Sequence, residues 1–197
     1  MCDDQVQGSP KGAGFIFWLT GLSGAGKSTL ARALRPALEA ERRVEVLDGD
    51  EAGVYFAENP CFTREDRDTG TRRIGFAARL LARNGVAVIV AAISPYAETR
   101  AEMRALAEAE GIPFAEVFVS ATAGCLVERD VKGAYARVLA GEVPIATGLA
   151  DVYEESEAPE VVVHTDREDV GASRDRIVAA LRRRGLVRGE LAPVRSS

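Results

Sequence analysis

The stretch Phe15 to Leu34, FIFWLTGLSGAGKSTLARAL, constrains this chain more than any other. An apolar run rich in aromatic and β-branched residues, FIFWLT, reads as a short buried strand. The segment KSTLARALRPALEAERR carries apolar residues at three-to-four spacing and reads as a helix, with Pro36 expected to bend it or force a local irregularity. Between the two lie Gly21, Leu22, Ser23, Gly24, Ala25, Gly26, Lys27 and Ser28, which fit the spacing G-x-x-x-x-G-K-[ST]. A loop that wraps a phosphate must turn its amides inward, and glycine reaches the dihedral angles this requires. The helix that follows offers its free N–H groups and the positive end of its dipole to the same anion. The Lys27 ammonium then faces the β- and γ-phosphates, and the Ser28 hydroxyl is placed to ligate Mg²⁺. A polyphosphate and Mg²⁺ are therefore the expected ligands.

Downstream, strand and helix patterns alternate. RVEVLDGD reads as a strand ending in carboxylates, and REDRDTGTRRIGFAARLLARNG as helical in its latter two-thirds with Gly85 as the stop. VAVIVAAIS is the most apolar segment, as suits a parallel strand covered on both faces. YAETRAEMRALAEAEG is a helix ending at Gly111, FAEVFVS a strand, AGCLVERDVKGAYARVLAGE a helix interrupted near Gly133, EVVVHTD a strand and VGASRDRIVAALRRRG a last helix. This order predicts an α/β fold: a P-loop kinase-like three-layer sandwich with a mainly parallel five-stranded sheet. One kinase domain over residues 15–187 is expected, after a disordered lead-in at 1–14 and before a flexible tail at 188–197. The Gly-, Pro- and acid-rich stretch from Gly133 to Pro159 reads as a flap or lid over the site, with an ordinary surface loop as the alternative.

Composition narrows the function. With a net charge of −5 the chain lacks the basicity of a general nucleic-acid binder. No apolar run approaches the length of a membrane span, and the N-terminal residues lack the pattern of a signal peptide. Three scattered cysteines and a single histidine argue against a structural zinc site and fit reduced thiols in a cytoplasmic setting. His164, in an apolar strand, reads as a packed or surface histidine. Asp48 and Asp50 flank Gly49 at the carboxyl end of the second strand, the rim where open parallel sheets bind ligands. There a carboxylate can accept a hydroxyl proton or hold Mg²⁺ through water; the alternative is a solvated turn with a helix cap. Arg64, Arg67, Arg72 and Arg73 supply forks suited to phosphate or sulfate, or else a solvated helix face.

Beyond the phosphate loop, the chain resembles the adenylyl-sulfate (APS) kinases, which phosphorylate the 3′-hydroxyl of adenosine 5′-phosphosulfate. The landmarks are GLSGAGKSTLA at 21–31, LDGD at 47–50, FTREDR…RRIG from Phe62 to Gly75, ISPY at 93–96, EVFVSA…C…ERDVKGAY from Glu116 to Tyr135, and TG…VYE…PE from Thr147 to Glu160. The resemblance implies ATP on the loop from Gly21 to Thr29, Arg129 along the adenine, and Asp50 beside the acceptor hydroxyl. It implies acceptor contacts from Phe62, Arg67, Ile93 and Ser94, with Lys132 near both substrates. Ser94 also matches a serine discussed in the family as a phosphorylated intermediate. In-line transfer requires no such step, so Ser94, grouped with Lys27 and Asp50 as a catalytic candidate, is read as a binding residue. The family is often dimeric, so a homodimer is expected, with a small-molecule acceptor and neither nucleic acid nor membrane as partner.

The departures from the family pattern all fall on the acceptor side. Glu51 and Gly53 stand where the family has asparagine and an acceptor-binding arginine, Gly70 where an acceptor-binding asparagine is expected, and Ala146 where an aromatic ring stacks on the acceptor adenine. At this stage three functions remain open: phosphorylation of adenylyl sulfate, phosphorylation of another hydroxyl acceptor such as a nucleotide-linked metabolite, and nucleotide binding without catalysis.

Overall fold

The structure, a computed structural model, describes residues 14–56, 63–130, 133 and 153–188, with side chains omitted at 53–56. Most of the flap expected from Gly133 to Pro159, residues 134–152, lies outside the described residues, together with Phe62, Lys132, Ala146 and both chain ends.

Five strands form one parallel sheet: β1 (Phe15–Thr20), β2 (Val44–Asp48), β3 (Ala87–Ala91), β4 (Phe114–Ser120) and β5 (Val161–His164), in the spatial order β2-β3-β1-β4-β5. The helices are α1 (Lys27–Glu39), α2 (Gly49–Phe56), α3 (Arg64–Arg83), α4 (Ala97–Ala109), α5 (Ala123–Arg129) and α6 (Val170–Arg183). Alternation along β1 builds two cores. Phe15, Phe17 and Leu19 pack with Leu30, Leu34 and Leu38 of α1 and Ile177 and Leu181 of α6. Ile16 and Trp18 face the other way, onto Ile74 and Ala78 of α3 and Met103 of α4. β1 and β3 are buried along their whole length, which is why both read as continuous apolar runs. The result is the expected three-layer α/β sandwich.

Three helices add detail to the sequence expectation. Helix α1 runs through Pro36 to Glu39. Pro36 and Arg32 lie on the exposed side, so the carbonyl that loses its donor faces water, while Leu34 and Leu38 on the other side hold the helix to the core. Helix α3 begins at Arg64 rather than midway, because Thr63 and Asp66 form a capping box in which each side chain accepts from the other's backbone N–H. Helix α2 follows β2 directly from Gly49, where the sequence reading carried the strand on to Asp50.

Charged residues also enter the interior. Arg100, on α4, and Glu116, in mid-β4, are both nearly inaccessible and pair at 3.0 Å. Glu160 accepts both arms of the Arg104 fork at 2.8 and 2.9 Å, the Arg184 guanidinium at 2.9 Å and the Glu116 backbone N–H. Burial alone would raise the Glu160 pKa, but the Arg104 fork and that backbone donor hold it below the usual carboxylate value. The cluster ties the start of β5 to β4 and α4.

Candidate active site

Chain direction places the site. From β1 the chain crosses through α1 to β2 on one side; from β3 it crosses through α4 to β4 on the other. The crevice between the carboxyl ends of β1 and β3 is therefore a topological switch point, where open α/β sheets bind ligands. The glycine loop leaves β1 there, and the loop containing Ile93 and Ser94 leaves β3 beside it.

The glycine loop has the geometry that its composition implied. Gly21, Gly24 and Gly26 all have positive φ, at 148°, 78° and 96°. Gly21 is needed for a second reason: a Cβ there would lie 2.2 Å from the Val119 carbonyl oxygen of β4. The Lys27 ammonium donates to the Gly21 and Leu22 carbonyl oxygens, each at 2.8 Å, and the side chain is buried. Lysine is thus folded over the loop, at the place where a triphosphate would exchange those carbonyls for its own oxygens. Ser28 is half-buried in the first turn of α1, and Thr29 is exposed.

A strap that sequence reasoning missed braces the loop from behind. The Thr165 hydroxyl donates to the Ala25 carbonyl at 2.8 Å. Arg129 donates to the Thr165 carbonyl at 2.6 Å, to its hydroxyl at 3.0 Å and to the Gly24 carbonyl at 3.4 Å. Arg129, expected along the adenine, is thus joined to the phosphate loop by its guanidinium. The Thr-Asp pair after β5 was the available signal, since that strand ends on the same rim.

Asp48 ends β2 and its Oδ1 accepts the Asp50 N–H at 2.9 Å, capping α2. Asp50 is exposed in the first turn of α2, two residues past the end of β2, rather than at the strand end where the sequence reading placed it. Glu51 follows it, also exposed.

Ser94 is the one non-glycine residue of positive φ among the described residues, at 45°. Trp18 Nε1 donates to its hydroxyl at 3.2 Å, Arg100 donates to its carbonyl at 2.8 Å, and the residue is 4% exposed. A strained backbone locked by buried donors is typical of a ligand-binding loop. The Thr20 hydroxyl donates to the Ile93 carbonyl at 2.7 Å, joining the two loops. Among the arginines, Arg67 is half-buried on α3. Arg64 lies over the Tyr96 ring at 4.3 Å and bonds Glu98 at 3.2 Å. Arg72 pairs with Glu102 at 2.9 Å on the exposed α3–α4 surface, so it belongs to the solvated face rather than to the site. Arg73 is exposed. His164 is half-buried at the end of β5.

The Mg²⁺ expected from sequence fits these residues. The described residues hold no cluster of three or more His, Cys, Asp or Glu able to cage a metal. Hydroxyl and carboxylate oxygens at the loop instead suit a hard cation that keeps most of its waters and rides on a nucleotide.

Residues 13–164 match the sequence model of the family described as adenylylsulphate kinase. The chain belongs to this family. It is 56% identical over 177 residues to the adenylyl-sulfate kinase of Myxococcus xanthus, covering 90% of this chain and 96% of that one. Among solved structures, that of the Mycobacterium tuberculosis APS kinase in complex with AMPPNP and APS superposes with a TM-score of 0.80 at 35% identity, covering 86% of this chain and 98% of that one. The hexameric APS kinase from Thiobacillus denitrificans gives a TM-score of 0.68 at 33% identity, with 90% of this chain matched to 30% of that one. No described helix of this family member is long and apolar enough to cross a membrane.

Proposed function

We propose that this chain is an adenylyl-sulfate kinase that transfers the γ-phosphoryl group of ATP to the 3′-hydroxyl of adenylyl sulfate. The observation that carries this reading is a complete phosphate cradle, with Lys27 folded over it, beside a strained acceptor loop in a chain 56% identical to an adenylyl-sulfate kinase. The acceptor oxygen attacks the γ-phosphorus in line, the bond to the ADP oxygen breaks, and the hydroxyl proton leaves through a nearby base. Lys27 and the amides of Leu22 to Ser28 stabilise the charge that builds on the transferring and leaving oxygens. Asp50, at the rim on α2, takes the proton or orients the hydroxyl. Ser28, with Asp50 through water, would hold Mg²⁺, which supplies charge neutralisation on the phosphates when bound. Ile93, Ser94, Arg67, Phe62 and Lys132 form the acceptor side, and Arg129 the nucleotide side.

Losing a ring at Ala146 and polar groups at Gly53 and Gly70 weakens acceptor contacts but leaves the chemistry intact. A different hydroxyl acceptor is therefore the reading to set against adenylyl sulfate, and retention of Lys27, Ser28, Asp50 and Arg67 disfavours a non-catalytic binder. Coupled-enzyme detection of ADP separates the first from the other two: turnover with adenylyl sulfate supports the proposal, and ATP binding without turnover defeats it.

The same proposal includes one kinase domain over 15–187, a cytoplasmic setting and self-association. Phe76 and Leu80, at 58% and 46% exposure, form an apolar stripe with Ala77 on the outer face of α3. A second copy packed antiparallel on this stripe would set Phe76 of one helix against Leu80 of the other and remove both from water. Sedimentation of Phe76→Glu as a monomer against a wild-type dimer supports that assembly; equal sedimentation refutes it.

A further inference from the structure

Tyr153 and Glu154 grip the loop that follows β3. The Tyr153 hydroxyl shares a 2.9 Å hydrogen bond with the Thr20 hydroxyl, which itself donates to the Ile93 carbonyl. The Glu154 N–H donates to the Pro95 carbonyl at 2.9 Å. The Glu154 carboxylate accepts the Ala97 N–H at 2.7 Å, capping the first turn of α4 from 57 residues away. The Glu154 carbonyl accepts from Arg100 at 2.7 Å, and that same guanidinium donates to the Ser94 carbonyl and to Glu116. The Tyr153 ring stacks on Phe118 at 5.7 Å and lies under Arg100 at 5.4 Å. Burial pushes the Tyr153 pKa up to about 12, so the hydroxyl stays protonated at neutral pH.

We infer that Tyr153 and Glu154 are positioning residues that, with Arg100, clasp residues 93–97 in the bent conformation needed to present the acceptor to the phosphate loop. Two features make this more than local packing. The clasp closes on Ser94, the one non-glycine residue of positive φ among the described residues, at 45°, a conformation that must be held from outside to persist. It also reaches Thr20, the residue before Gly21, so one hydroxyl pair sets the spacing between the phosphate loop and the acceptor loop. The inference rests on the proposal that the loop at Ile93 and Ser94 binds adenylyl sulfate.

The test uses the full chain with Tyr153→Phe, which deletes one hydroxyl and keeps the ring stack, and with Glu154→Ala and Glu154→Gln. Tyr153→Phe is expected to raise the KM for adenylyl sulfate about three- to tenfold, the value of one hydrogen bond, with the KM for ATP within about twofold of wild type. Glu154→Ala is expected to do at least as much, and Glu154→Gln, which keeps an acceptor for the Ala97 N–H, to recover part of the loss. In the unliganded protein, Glu154→Ala is expected to speed amide exchange across residues 93–97 about tenfold. Unchanged acceptor KM in both variants, or acceptor and ATP KM rising together, overturns the inference, as does unchanged exchange. A wild-type protein that gives no ADP with adenylyl sulfate defeats the acceptor assignment instead, and the exchange experiment then decides the clasp alone.

Discussion

Substituting alanine at Gly21 and at Gly70 separates the two reasons a chain keeps glycine. At Gly21 the backbone sits at φ 148°, and a Cβ would meet the Val119 carbonyl oxygen at 2.2 Å. That oxygen belongs to β4, an inner strand, and cannot swing away as a side-chain tip would. The dihedral strain costs about 1–3 kcal/mol and the forced displacement of β4 a similar amount. A total of about 4 kcal/mol lowers the melting temperature of a chain this size by roughly 8–16 °C. At Gly70, inside α3, an added Cβ meets nothing within 4 Å. Alanine there removes the entropic penalty of a helical glycine and is expected to stabilise by about 1 kcal/mol, a rise of about 2–4 °C. Thermal melts of Gly21→Ala, Gly70→Ala and wild type under one condition give the answer. If Gly21→Ala melts within about 2 °C of wild type, the close approach of the phosphate loop to β4 is wrong.

Lys27→Met is expected to fold and to lose turnover by at least about 1,000-fold in a steady-state assay, because the ammonium stabilises developing charge; residual activity within tenfold of wild type contradicts that role. Asp50→Asn is expected to lower kcat at least about 100-fold with a smaller effect on ATP affinity, measured separately by calorimetry. Gly70→Asn restores the family residue in open space, and its expected mark is a lower KM for adenylyl sulfate by up to about tenfold; no change would mean that the acceptor does not reach α3 at that turn. The depressed Glu160 pKa contributes stability above the unfolded carboxylate value of 4.5, lost as pH falls through the lower folded value. Denaturant titrations from pH 6 down to pH 3 should therefore show a shallower acid loss for Glu160→Gln than for wild type.

The phosphate loop was legible because all of its chemistry is local: eight adjacent residues specify the turn, the charge and the helix start. The sheet was legible because β1 and β3 are buried on both faces and read as unbroken apolar runs. Helix α2 was not, since GDEAGVYF opens with glycine and acids and lacks an apolar period; its start depends on the Asp48 cap. The start of α3 was readable in principle, as Thr63 and Asp66 stand three apart in a capping box. The clasp at Tyr153 and Glu154, the Arg129–Thr165 strap and the Arg100–Glu116 pair join residues 16 to 133 positions apart. Two of these left a trace in the sequence: the Thr-Asp pair after β5 at the rim, and Glu116, a carboxylate in an apolar strand that had to find a cation. The acceptor departures at Gly53 and Ala146 lie at positions whose side chains are outside the described residues, so their effect is a matter for kinetics.

The most direct measurement is ADP release by the purified chain given magnesium, ATP and adenylyl sulfate, with product identified as the 3′-phosphorylated nucleotide. The account predicts turnover that needs both nucleotides and disappears in Lys27→Met. Tight binding of magnesium nucleotide without phosphorylation of adenylyl sulfate would contradict it.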